Sequence, residues 1–330
     1  MNDTLPLVLV TRALPEGWLA PLHGRCTMIV GEADTPGLQP CIVEALPRAD
    51  AILCLLTERI DAAVLDQAPR LRVVSNMAVG VDNIDVAACT ARGIAVGHTP
   101  GVLTEATADL AMALLLAAAR RLPAAATDAR EGRWSTWSPT GWLGADLQGA
   151  RLGLVGLGKI GAAVARRARG FGLELCYAAP HPRPELEASL APLRRLPLPE
   201  LLATSDFVSL HVPLTATTRH LVDAQALARM KPTAILINTA RGPVVDSAAL
   251  AEALHAGTIG GAALDVTDPE PLPPAHPLYT CPNLLVVPHI GSATVGTRRR
   301  MAKLAANNVL AALEGRSLPH AVNPDAGPRG

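Results

Sequence analysis

Three short segments in the second half of the chain each end an apolar run with one reactive side chain. They are Ile237-Asn-Thr-Ala-Arg-Gly242, Leu264-Asp-Val-Thr-Asp-Pro-Glu-Pro271 and Val287-Pro-His-Ile-Gly-Ser292. Together they supply a guanidinium at Arg241, a carboxylate at Glu270 and an imidazole at His289, a set sufficient to reduce a 2-oxo acid. Arg241 can fork onto a substrate carboxylate and polarise the adjacent carbonyl. Hydride addition to that carbonyl builds alkoxide charge, so an acid working near neutral pH must stand within hydrogen-bond reach, a task that suits an imidazolium at His289. Glu270, bonded to the other ring nitrogen, would orient His289 and keep it protonated until the transfer. Taken singly, each residue fits a bland role: a surface cation, part of a proline-rich turn, a satisfied strand-end histidine. The joint arrangement at three strand ends singles them out, because doubly wound sheets bind ligands there.

A hydride source is suggested by Arg151-Leu-Gly-Leu-Val-Gly-Leu-Gly-Lys-Ile-Gly161, where an apolar strand enters a G-x-G-x-x-G turn that opens a helix. Gly156 permits the tight turn, Gly158 lets backbone approach a pyrophosphate, and Gly161 allows the helix to pack closely on the strand. Free N–H groups at the helix start would hold the anion. The carboxylate that usually meets the ribose hydroxyls, about 20 residues further on, is missing. The second strand, Leu173–Ala178, runs into Ala179-Pro180-His181-Pro182-Arg183, where His181 and Arg183 could meet a 2′-phosphate. NADP(H) is therefore expected over NAD(H), although an NAD enzyme can manage without the acid through backbone contacts.

These elements need a scaffold. At 330 residues the chain exceeds the comfortable size of one core, so two domains are expected. A formal net charge of zero gives nucleic acid or an anionic membrane nothing to grip. The N-terminus has an acid before a short apolar run and reads as a first strand rather than a signal peptide, which places the protein in the cytoplasm. The longest apolar run, Leu110–Ala119, is too short to span a bilayer. The six cysteines lack ligand spacing, so no metal site is expected and all six read as small buried apolar residues.

Strand-like runs at Leu5–Val10, Ala51–Leu56, Leu71–Asn76 and Ile94–Val96 alternate with helical segments at Ile60–Gln67 and Ile84–Arg92. A long helix at Thr104–Arg120 and a Trp-rich excursion at Arg130–Gly149 precede the glycine turn. After the turn, strands at Phe207–His211, Ala234–Asn238, Ala262–Leu264 and Leu284–Val287 alternate with helices at Ala224–Arg229 and Ser247–His255. The expected fold class is α/β, with two Rossmann-like, doubly wound parallel sheets. Residues 101–293 would form the dinucleotide-binding domain. Residues 1–100 and 294–330 would form a discontinuous flavodoxin-like substrate domain, completed by a helix at Val295–Leu313.

Six motifs in this order resemble the D-2-hydroxyacid dehydrogenases, specifically the glyoxylate reductase/hydroxypyruvate reductase branch: Met77–Asp85, Gly156–Gly161, His211–Thr215, Asn238–Gly242, Leu264–Pro271 and Pro288–Thr294. The resemblance covers nearly the whole chain and implies the roles already read for Arg241, Glu270 and His289. It further implies that backbone at Val79 and Gly80 meets the substrate carboxylate and that Thr104 and Asp265 lie near the nicotinamide. Leu157, Gly158, Lys159, Ile160, Ala179, Val212, Pro213, Thr239, Ala240 and Gly291 would line the cofactor. The family forms dimers, so Trp137 and Trp142 are candidate interface residues, with Trp142 closing the partner's substrate pocket. The departure from an acid near Ala178 agrees with NADPH. Alternatives are NAD-dependent oxidation of another D-2-hydroxy acid, of phosphoglycerate type, and a nucleotide-sensing corepressor-like binding protein.

Overall fold

A computed structural model describes residues 5–326; Met1 to Thr4, where the first-strand reading began, and the last four residues of the Pro/Gly-rich tail lie outside the described residues. The chain divides into two compact units, one formed by Met1–Leu103 with Thr294–Gly330 and the other by Thr104–Ala293.

The first unit is built on a parallel sheet of β1 (Leu7–Val10), β2 (Thr27–Val30), β3 (Ala51–Cys54), β4 (Val73–Asn76) and β5 (Ala95–Gly97), ordered β2-β1-β3-β4-β5. This is the flavodoxin-like order. Helices α1 (Pro40–Ala45), α2 (Ala62–Asp66) and α3 (Val86–Ala91) connect the strands. Asp61 and Asp85 start α2 and α3 by accepting from the N–H groups of Val64 and Ala88. The C-terminal helix Val295–Leu313 packs on β3, β4 and β5, with Ser75 Oγ donating to the Ala305 carbonyl at 2.9 Å. Edge strand β2 and helix α1 carry no alternating pattern that the sequence reading could detect.

The second unit opens with α4 (Thr104–Ala119) and α5 (Leu122–Arg130), then β6 (Arg151–Val155), α6 (Lys159–Arg169), β7 (Glu174–Ala178), α7 (Pro184–Ser189) and β8 (Leu193–Arg195). It continues through α8 (Leu198–Thr204), β9 (Phe207–Leu210), α9 (Ala224–Arg229), β10 (Ile235–Asn238), α10 (Ser247–His255), β11 (Gly261–Leu264) and β12 (Leu284–Val286). The seven strands are parallel in the order β12-β11-β10-β9-β6-β7-β8. The order reverses between β6 and β9, the switch point at which such sheets bind ligands. β9, β10 and β11 are buried along their whole length, as strands covered on both faces must be.

The excursion after α5 contains no helix or strand from Arg133 to Gln148 and is almost wholly exposed. Two cysteines depart from the expectation of burial: Cys41 is exposed on the outer side of short helix α1 and Cys281 is half-buried at a turn. Among the described residues no group of His, Cys, Asp and Glu could hold a metal, and no single helix is long and apolar enough to cross a membrane.

Candidate active site

β10, β11 and β12 are neighbours, and the loops leaving their C-terminal ends carry Arg241, Glu270 and His289. The first loop is tied by Asn238, whose side chain donates to the Arg241 carbonyl at 2.9 Å and accepts from the Ala240 N–H at 3.0 Å. Gly242 follows because nothing larger fits: a Cβ there would lie 1.8 Å from the Thr267 carbonyl oxygen. That contact presses the Arg241 loop against the loop that bears Glu270.

Glu270 Oε1 lies 2.5 Å from Nδ1 of His289, and Oε2 accepts from the Thr267 N–H at 3.3 Å. The pairing uses one ring nitrogen and leaves Nε2 for another partner. His289 has φ +51°, a left-handed conformation uncommon outside glycine and enriched at functional positions. Asp265 holds the backbone there: its carbonyl accepts from the His289 N–H, and its buried carboxylate accepts from Ile290 at 2.6 Å and Gly291 at 2.9 Å. Burial raises the Asp265 carboxyl above its ordinary range, against the pull of these two N–H groups and of the His289 charge. A Cβ at Gly291 would meet that carboxylate at 2.9 Å, so this glycine is required for packing as well as for any ligand.

The glycine turn lies at the switch point. Gly156 has φ +97° and a Cβ there would strike the His211 carbonyl at 2.7 Å; at Gly161 it would strike the Gly156 carbonyl at 2.4 Å. Gly158 differs, because its φ is ordinary and nothing lies within 4 Å of its Cβ position. A side chain is excluded there by no protein atom, which fits space kept for a ligand. Helix α6 begins with no side-chain N-cap, so its first N–H groups face that space with the positive end of the helix dipole. A dinucleotide pyrophosphate fits this cradle.

Beside the turn, a cavity of about 780 Å³ is lined by Val155, Ala178, Ala179, Pro180, Val212 and Pro213 among others. Its walls are mostly apolar, as an adenine requires. His181 and Arg183 are exposed and stand outside this lining, because the chain turns into α7 and the Arg183 N–H is taken by Tyr177 Oη at 3.1 Å. Arg195, which the sequence reading passed over, does line the cavity. Thr239, buried with its hydroxyl unpartnered, and Thr104, at the start of α4, belong to the same unit.

Residues 112–291 match the family described as "D-isomer specific 2-hydroxyacid dehydrogenase, NAD binding domain". The chain belongs to this family. It is 48% identical over 321 residues to a glyoxylate reductase of Korarchaeum cryptofilum, covering 97% of this chain and 96% of that one. A glyoxylate reductase of Thermococcus onnurineus is 46% identical over 322 residues, covering 96% of each chain. Among solved structures, a Thermus thermophilus protein is 50% identical with a TM-score of 0.89, covering 96% of this chain and 99% of that one. An NADPH-dependent glyoxylate/hydroxypyruvate reductase of Sinorhizobium meliloti, solved with NADP and malonate, is 34% identical with a TM-score of 0.87, covering 98% and 99%.

In this member of the D-2-hydroxyacid dehydrogenase family, Val79 and Gly80 lie in the first unit, on the loop after β4. A buried polar network shapes that loop. Asn76 donates to the Gly80 carbonyl and to Asn83 Oδ1, both at 2.9 Å, while Asn83 donates to the carbonyls of Leu55 and Glu58. Glu58 is fully buried and accepts from Thr11 Oγ1, the Leu55 N–H, Thr57 Oγ1 and Arg12 Nε at 2.7–3.0 Å. Trp137 is 79% exposed and Trp142 is 41% exposed, with the Arg121 guanidinium 5.3 Å from the Trp142 ring centroid.

Proposed function

We propose that this protein reduces small 2-oxo acids, glyoxylate and hydroxypyruvate first, to the 2-hydroxy acids, with NADPH preferred over NADH. The observation that carries the reading is the 2.5 Å contact between Glu270 Oε1 and His289 Nδ1, formed on strand-end loops beside the Arg241 loop. The bound dinucleotide would supply the hydride. Gly156–Gly161 and the α6 N-terminus would hold its pyrophosphate, and Ala179, Val212 and Pro213 would flank its adenosine half.

Arg241 would hold the substrate carboxylate by two parallel N–H bonds and fix the adjacent carbonyl. Glu270 keeps the proton of His289 on Nδ1 and the ring in one orientation, so that Nε2–H points to the substrate oxygen. As the carbonyl carbon gains hydride, the oxygen gains the Nε2 proton, and the neutral imidazole is recharged from solvent. Thr104 and Asp265 would border the nicotinamide end, and backbone at Val79 and Gly80 would contact the substrate carboxylate. The names of the relatives support the substrate class, and the S. meliloti complex supports the 2′-phosphorylated cofactor. The exposed Trp137 and Trp142 support a homodimer in which Trp142 serves the partner's pocket. A cytoplasmic location belongs to the same reading, with a balanced formal charge that gives an anionic membrane nothing to grip.

The test is the loss of NADPH or NADH absorbance on addition of glyoxylate, hydroxypyruvate or pyruvate. Faster turnover of NADPH with glyoxylate or hydroxypyruvate is the expected result. Activity with NADH alone would overturn the cofactor preference, and oxidation of neither cofactor with any 2-oxo acid would overturn the reaction.

A further inference from the structure

Discrimination between NADPH and NADH has to come from a group at the end of β7, because the two differ only in the ribose 2′-phosphate. The end of β7 reads Ala178-Ala179-Pro180 and offers no side chain that could bind a phosphate. The cation at this place comes from the neighbouring strand. Arg195 is the last residue of β8, in register with Tyr177 of β7, and its side chain crosses the strand end. Nη2 donates to the carbonyls of Ala179 at 3.0 Å and Pro180 at 2.9 Å, and Nε approaches the Ala179 carbonyl at 3.3 Å. These bonds fix the plane of the guanidinium at the cavity wall, leaving Nη1 without a hydrogen-bond partner among the described residues.

No carboxylate among the described residues pairs with Arg195. The nearby acid, Glu187, accepts instead from Tyr177 Oη and, at 3.4 Å, from the Arg183 N–H. Arg195 is thus an exposed cation held by neutral carbonyls, with no carboxylate paired to it among the described residues, beside a cavity that fits an adenosine. A guanidinium already fixed in orientation loses little side-chain freedom when it binds a phosphate.

We propose that Arg195 selects the 2′-phosphorylated dinucleotide, and that His181 and Arg183 do not. The proposal rests on the reading that this cavity holds the adenosine half of the cofactor, and the test separates the two. Titration calorimetry of the full-length protein with adenosine 2′,5′-bisphosphate and with 5′-AMP reads the contribution of the 2′-phosphate directly, without turnover. Wild type is expected to bind the bisphosphate roughly 10- to 100-fold more tightly, the range of a charge-assisted pair. Arg195→Gln, which keeps donors for the two carbonyls but removes the charge, should bring that ratio to about 1 with 5′-AMP affinity unchanged; Arg195→Lys should restore part of it. Arg183→Ala and His181→Ala should retain the wild-type ratio.

A ratio in Arg195→Gln equal to wild type, or a ratio lost in Arg183→Ala or His181→Ala instead, would overturn the proposal. So would a wild-type ratio near 1. Failure of both nucleotides to bind wild-type protein that still reduces 2-oxo acids would overturn the assignment of the cavity itself.

Discussion

Glu270 and His289 meet at 2.5 Å across two loops that belong to different strands, and His289 makes the contact from a left-handed backbone. The pairing nitrogen is Nδ1, so on the proposed mechanism proton transfer would fall to Nε2. Replacing His289 with Asn should lower kcat by roughly 10²- to 10⁴-fold, the usual contribution of a positioned acid. Dinucleotide binding, followed by fluorescence quenching, should be unchanged. Near wild-type turnover in this variant would assign the proton to another group.

Glu270→Gln keeps the shape of the contact but not the charge. It should reduce kcat less than loss of the imidazole does, with dinucleotide affinity unchanged. A kcat equal to wild type would mean that Glu270 only packs the loop.

Gly242 and Gly158 make a matched pair of glycines. At Gly242 an added Cβ would sit 1.8 Å from the Thr267 carbonyl, so Gly242→Ala must separate the Arg241 and Glu270 loops. Overpacking of this kind destabilises by about 1–3 kcal/mol, and kcat should fall with the thermal midpoint. At Gly158 the same substitution meets no protein atom. Gly158→Ala should leave the apo-protein's stability within about 0.5 kcal/mol of wild type and weaken dinucleotide binding. Equal effects of both substitutions on the apo-protein's melting would contradict the distinction.

His211 imposes a pH dependence on stability. Its ring is buried beneath the glycine turn, with Nε2 at 2.9 Å from Ser209 Oγ and Nδ1 unpartnered, and burial lowers its pKa to about 4. The unfolded value is near 6.5, so above that pH neither state gains a proton and the group contributes nothing. As pH falls from about 6.5 toward 4 the unfolded chain protonates first, and stability is lost by up to about 3 kcal/mol. Denaturant midpoints at pH 7 and pH 4.5 should differ less in His211→Gln than in wild type. An unchanged difference would place the acid sensitivity elsewhere.

In the first unit, Glu58→Ala would remove the acceptor of Arg12, Thr11, Thr57 and Leu55 at once. Breaking a buried ion pair from one side destabilises by about 3–5 kcal/mol, and urea unfolding should show it. The milder Asn83→Ala should raise KM for the 2-oxo acid with little change in kcat, provided that the Val79–Gly80 loop holds the carboxylate. A change in kcat alone would argue against that loop role.

What could be read from the chain was what local chemistry dictates. Helices α9 and α10 and the C-terminal helix have the predicted bounds, because Asp223, Asp246 and Thr294 mark their starts by capping. Central strands announce themselves by unbroken apolar runs, whereas β8 is three residues, two of them arginine, and escapes notice. The reactive side chains of the candidate site are visible as types at strand ends. Gly242 and Arg195 are not, since each acts through a backbone group that only the parallel register brings near, and Asn238 acts within its own loop on Ala240 and Arg241. His181 and Arg183 are close in sequence to the expected ribose position, but neither lines the cavity.

The C-terminal helix covers β3, β4 and β5, strands made at the other end of the chain. During synthesis those strands leave the ribosome well before the helix that buries them, because the roughly 190 residues from Thr104 to Ala293 are translated in between. At about 5–20 residues per second the interval is on the order of 10–40 s. Throughout it the nascent first unit presents an uncovered apolar sheet face, while the second unit, continuous in sequence, can fold as it emerges. The unit whose synthesis begins first is therefore the one that can be completed last.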